Sequence, residues 1–263
     1  MSFNPLAALL RHDRVVLISG LAVATIIAWS YLLLGGIQMA AMAPDGIGMA
    51  MGMALSRWTI GHAAIVFVMW AVMMVAMMLP SAAPSILLIA ALARQRAGGG
   101  GVAARTAGPF AAGYLLVWVA FSVVATALQW ALSEAGMLSP VMATTNQIVA
   151  AGVLIAAGVW QWTPLKQACL HNCRSPLGIL LTHWQRGPLG PVRSGAVNGL
   201  YCLGCCWLLM ALLFVGGVMN ILWIAGLALL VLIEKTTPWG ERAAKVAGAV
   251  LAAWGLAALA PLL

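Results

Sequence analysis

Six stretches of this chain contain no Lys, Arg, Asp or Glu: Val15 to Pro44, Trp58 to Ala93, Thr106 to Ser133, Ala135 to Leu165, Ser194 to Ile233 and Val246 to Leu263. A helix crosses ~30 Å of hydrocarbon with about 20 residues at 1.5 Å apiece, so each stretch is long enough to span a bilayer. Typical water-soluble chains carry about 25% charged residues. Here 7% of 263 residues are charged. A soluble enzyme is excluded on that ground, and the expected fold is an all-α polytopic membrane helix bundle forming a single transmembrane domain over residues 1–263.

Two of the stretches exceed one simple crossing. Ser194 to Ile233 is 40 residues long, which as one helix would measure ~60 Å. Gly216-Gly217-Val218-Met219-Asn220 offers a tight turn in its middle, so a hairpin is predicted. The stretch from Trp58 is interrupted by Pro80-Ser81-Ala82-Ala83-Pro84, predicting a kink or a spanning helix followed by an interfacial one. The result is about seven transmembrane helices, near 15–35, 62–92 (kinked), 108–131, 146–163, 197–215, 219–233 and 245–262.

With the N-terminus in the cytoplasm, Arg57 alone among the 13 Lys and Arg residues falls outside, as the positive-inside rule requires. A single crossing at Ser194 to Ile233 would move Lys235, Arg242 and Lys245 outside, which favours the hairpin. The first apolar stretch is longer than the ~7–15-residue core of a cleaved signal, so a retained anchor is expected. The net charge of +8 is spread over four cytoplasmic segments. That distribution suits topology and a lipid-bilayer partner, not the dense patch of a nucleic-acid binder.

Sulfur is the second unusual feature, with 15 Met and 5 Cys. The Cys form two clusters, Cys169-Leu170-His171-Asn172-Cys173 and Cys202-Leu203-Gly204-Cys205-Cys206, both assigned to the cytoplasmic side. On a helix, Cys202, Cys205 and Cys206 share a ~100° sector with Asn198, Leu209 and Met210. Cys169 and Cys173 would stack on a helix while His171 points the opposite way, so one ion shared by all three requires a loop. An isolated Cys is usually a packing residue, but five in two tight groups point to metal. Disulfides do not suit a reducing compartment. Thiolate and imidazole together are what Cu(I) or Zn(II) prefers.

A third constellation lies in the second span. Trp70, Met73, Met74, Met77, Met78 and Ser81 fall within a ~140° sector, so four thioethers share one helix face. Such a stripe is also ordinary membrane packing. The preceding loop, however, adds Met39, Met42, Met49, Met51 and Met53, with His62 at the outer mouth. Thioethers bind Cu(I) and stay neutral at any pH. In order, these groups form a path from the Met loop through His62 and the Met stripe to the thiols. His183, in the amphipathic stretch Ser175 to Arg186, is a reserve ligand. Glu234, beside Lys235, is a further candidate whose simpler role is an interfacial ion pair. No Walker loop, dinucleotide fingerprint or HExxH motif occurs.

The segments Trp70 to Pro84, Thr163 to Gly178, Gly199 to Trp207 and Phe214 to Trp223, followed by Glu234-Lys235, resemble a bacterial family of predicted metal-binding integral membrane proteins, a domain of unknown function. The likeness runs over roughly residues 55 to 260 in the same motif order. It implies metal binding through the Met and Cys/His motifs and a multi-pass place in the bacterial inner membrane. The Met-rich loop before Arg57 has no counterpart in the family pattern.

The predicted function is therefore binding of a soft metal ion for transport or delivery, Cu(I) first and Zn(II) second, with a metallochaperone or larger membrane complex as partner. The rivals are a membrane metalloenzyme, or a subunit of a metal-dependent oxidase or oxygenase, and a thiol-redox protein built on Cys202 and Cys205. Four His and five carboxylates in the whole chain leave little for an oxygen-activating site, which usually recruits several of each.

Overall fold

The computed structural model describes residues 5–41, 58–97, 102–138, 143–174, 187 and 189–260. Among these the chain forms helices α1 (Pro5–Ala41), α2 (Ile60–Ala97), α3 (Val102–Glu134), α4 (Gln147–Trp160), α5 (Pro164–Arg174), α6 (Gly190–Ala211), the single turn α7 (Leu213–Gly216), α8 (Ile221–Thr236) and α9 (Gly240–Leu259). Helix ends follow local chemistry. Asn146 accepts hydrogen bonds from the backbone N–H groups of Ile148 and Val149 to start α4, and Asn220 accepts from Trp223 N–H to start α8. Both satisfy amide donors that the first helical turn leaves without partners. Pro164 restarts the chain after α4, and α5 leaves at 64° to it.

The expected hairpin turn is present. Gly217 sits at φ 92°, a left-handed conformation that side-chain-bearing residues rarely adopt. It ends α7 and reverses the chain into α8. The interruption expected at Pro80 and Pro84 does not divide the second segment: both prolines lie inside the 38-residue α2. Neighbouring helices can re-satisfy the carbonyls that a proline frees.

Among the described residues, five helical segments are long and apolar enough to cross a membrane: Val15–Gly35, Ile60–Gln95, Val102–Glu134, Gly190–Gly216 and Gly240–Leu259. The bent pair α4 and α5 makes a sixth if it counts as one broken span. Helix α8 has 16 residues, or ~24 Å, short of the ~30 Å core.

Surface and interior are distributed in a way compatible with a membrane protein. Ile26, Ile27, Leu34, Val124, Leu222, Val246 and Leu256 are exposed, whereas Gln129, Gln161, Lys166, Asn198 and Glu234 are buried. Helix α3 packs against both α2 and α6; α1 covers α2, α5 lies on α6, and α4 pairs with α9. The α3–α6 contact is backbone on backbone: a Cβ on Gly113 would stand 1.9 Å from the Val192 carbonyl oxygen, and one on Gly195 1.9 Å from that of Phe110. Small residues let membrane helices approach this closely. The approach brings Tyr114 against Cys202 of α6.

Candidate metal centre

The helical spacing of Cys202, Cys205 and Cys206 turns all three thiols into the interior, where they are 1%, 1% and 0% exposed. Asn198, Leu209 and Met210 are buried on the same face. The thiols of Cys205 and Cys206 donate to the Cys202 carbonyl oxygen at 3.1 and 2.9 Å. Cys202 Sγ has further partners from two other helices. It lies 2.9 Å from the Tyr114 hydroxyl and accepts from the Lys235 ammonium at 2.7 Å.

The second cluster joins the first. Residues 164–174 form a helix, which corrects the loop that a shared Cys169–His171–Cys173 site requires. Cys169 and Cys173, one turn apart, face α6, while His171 points outward and is exposed. Cys173 is the thiol of α5 that lies nearest Cys205, close enough for the two to interact. Cys169 Sγ sits where a side chain on residue 204 would go, 2.9 Å from the Cβ position of Gly204. Gly204 is thus the notch that admits α5. All five Cys are free thiols. Among the described residues, no three His, Cys, Asp or Glu side chains are already arranged around an ion position.

The methionine face of α2 is linked to this cluster through Tyr114 and Lys235. Met73, Met74, Met77 and Met78 are 0–1% exposed. Trp70 bounds the N-terminal end of the face, its indole N–H donating to Gln129 Oε1 at 2.7 Å and its ring 5.1 Å from that of Phe214. At its C-terminal end the Tyr114 hydroxyl donates to the Met78 carbonyl at 3.4 Å and Lys235 Nζ donates to Ser81 Oγ at 3.2 Å. Tyr114 and Lys235 therefore each touch both α2 and Cys202.

A family model described as PpoB2, copper chaperone, matches residues 67–258. The chain belongs to this copper chaperone family. Its function is thus copper-related, and the match runs from within α2 to the last turn of α9, taking in both Cys clusters and the methionine face. No curated protein and no solved structure shows significant similarity to the chain.

The remaining candidates are not drawn into the cluster. In this copper chaperone family member His62 is half-buried in the first turn of α2 and stacks edge-on against Trp58, with ring centroids 4.8 Å apart. It lies 11 residues before Met73, ~16 Å along the helix. Glu234 is buried, and its partner is not the adjacent Lys235. Glu234 Oε2 accepts from Lys166 Nζ at 2.7 Å and Oε1 accepts from Gln161 Nε2 at 2.9 Å. Lys166 also donates to Gln161 Oε1. This closed network ties α8 to α5 and leaves Glu234 without a free oxygen directed at the thiols. His183 and the loop residues Met42, Met49, Met51 and Met53 lie outside the described residues, as does the Met39 side chain.

The site includes groups that sequence reasoning left aside. Tyr114 carries no compositional signal. Lys235 was assigned to topology, and Gly204 is conspicuous only as the residue between the cysteines of a CxxC.

Proposed function

We propose that this copper chaperone family member is a polytopic protein of the bacterial inner membrane that holds Cu(I) as cargo on the merged thiol cluster and passes it to an acceptor. The observation that carries the reading is the convergence of two Cys clusters, from separate stretches of sequence, linked through Tyr114 and Lys235 to a buried methionine face. Soft thiolate and thioether ligands select Cu(I) over harder divalent ions. Cys202 and Cys205 are the proposed thiolate ligands, Cys206 and Cys173 stay protonated beside the ion, and Cys169 lies at their edge. Met73, Met74, Met77 and Met78 are the weaker ligands through which the ion reaches them.

The geometry supports transient holding. Cu(I) entry replaces two thiol S–H bonds by Cu–S bonds, the two protons leaving to solvent, and gives up only weak thiol–carbonyl hydrogen bonds. Cys169 and Cys173 lie on a short helix that is only half-buried. That is where an acceptor's own thiols reach the ion and take it by ligand exchange. The N-terminus-inside orientation puts this exit in the cytoplasm, with His62 at the opposite mouth. Zn(II) is the second candidate, because a closed zinc site wants four ligands in tetrahedral order.

The test is Cu(I) titration of the protein in lipid nanodiscs against a chromophoric Cu(I) chelator. Wild type takes up Cu(I), and the Cys202→Ser/Cys205→Ser/Cys206→Ser variant loses it while retaining its helical content. Equal uptake by the variant removes the thiol site from the account.

A further inference from the structure

Two thiolates and one Cu(I) sum to a charge of −1, and a net charge within a bilayer is strongly disfavoured unless a partner balances it. The cations near the cluster are not equivalent. Lys166 is 2.7 Å from Glu234 Oε2, both side chains at most 1% exposed, so that pair is neutral by itself. Arg174 turns its guanidinium to the Thr237 carbonyl. Lys235 instead places its ammonium 2.7 Å from Cys202 Sγ, and no carboxylate among the described residues forms a salt bridge with it. Ser81 Oγ at 3.2 Å fixes the ammonium from α2, and the Tyr114 hydroxyl at 2.9 Å fixes the sulfur from α3.

We propose that Lys235 is the built-in counter-ion of the copper–thiolate centre, its fixed positive charge bringing a two-thiolate Cu(I) site to zero net charge. The inference rests on the Cu(I) reading above and adds a residue that coordinates nothing. Helix α8 delivers two charges in succession with different tasks. Residues i and i+1 on a helix point about 100° apart, so Glu234 meets Lys166 on one side while Lys235 meets the thiols on the other. Lys235 is thus a positioning and charge-balancing residue rather than a ligand. It sets how many thiolates the ion can keep: a lysine balances two thiolates around a monovalent ion, and substituting one thiolate by a thioether would leave a surplus positive charge.

That charge count distinguishes the role from a structural one. In nanodiscs, with Cu(I) affinity read by chelator competition, Lys235→Met should weaken Cu(I) binding about 100- to 1,000-fold, the worth of one charge pair near 4 Å at intermediate dielectric. Lys235→Arg should stay within about tenfold of wild type, because it keeps the charge. Cys202→Met alone should also weaken binding. The double variant Cys202→Met/Lys235→Met should bind more tightly than Lys235→Met, since one thiolate and one thioether around Cu(I) are already neutral. This sign reversal in a double-mutant cycle is not expected of a lysine that merely holds helices together. Circular dichroism and size exclusion establish which variants are folded; if Lys235→Met is not, Lys235→Gln replaces it in the cycle. Undiminished affinity in the charge-removing variant, or a double variant no better than that single one, overturns the proposal. Failure of wild type to bind Cu(I) overturns the underlying reading, and the counter-ion role with it.

Discussion

Lys166→Met tests the network that seats α5 on the bundle. The Lys166–Glu234 pair closes at 2.7 Å with side chains 0% and 1% exposed, a separation worth about 6 kcal/mol of Coulomb energy at an effective dielectric constant near 20. Removing the ammonium strands a buried carboxylate. The Gln161 amide, 2.9 Å from Glu234 Oε1, still donates to it, which returns roughly 1.5–3 kcal/mol. The net cost should be ~3–5 kcal/mol, the range for breaking a buried pair from one side. Replacing both partners, as Lys166→Met/Glu234→Leu, removes both desolvation penalties and should recover most of the loss. The assay is equilibrium unfolding in mixed micelles with increasing denaturing detergent, followed by tryptophan fluorescence. A single variant within about 1 kcal/mol of wild type, or a double variant as damaged as the single one, refutes the reasoning.

Four shorter predictions follow from other contacts. Gly204→Val fills the notch that Cys169 Sγ occupies 2.9 Å away; by pushing α5 off α6 it should weaken Cu(I) retention about tenfold, measured by chelator competition. Gly195→Ala puts a methyl 1.9 Å from the Phe110 carbonyl oxygen and should cost about 3 kcal/mol in the unfolding assay by forcing α3 and α6 apart. Trp70→Phe deletes the 2.7 Å hydrogen bond to Gln129 and should cost ~1 kcal/mol in the same assay. Met73→Leu/Met77→Leu nearly conserves volume and should shift stability by less than about 1.5 kcal/mol, yet slow Cu(I) loading in stopped-flow measurements.

The sequence was legible wherever a single helix decides the outcome. The sectors drawn for Cys202, Cys205 and Cys206 and for the four Met are the buried faces of α6 and α2, because 100° per residue holds along any helix. The turn at Gly217 was readable for the same local reason. What sequence withholds is which helix lies opposite. Glu234 pairs with Lys166, 68 residues away, and not with its neighbour Lys235, since adjacent helical residues do not face each other. Tyr114 reaches Cys202 across 88 residues, and nothing local to Tyr114 marks it. His171 illustrates a different limit. Grouping it with Cys169 and Cys173 by proximity in sequence presumed a loop, whereas helix formation at 164–174 separated imidazole from thiols.

The central claim is that sulfur alone holds the copper. X-ray absorption at the copper edge, on Cu(I)-loaded protein in nanodiscs, reads the ligand shell directly. A shell made only of sulfur, lost in the variant lacking Cys202, Cys205 and Cys206, is the predicted result. A shell dominated by nitrogen or oxygen, or one unchanged in that variant, would contradict it.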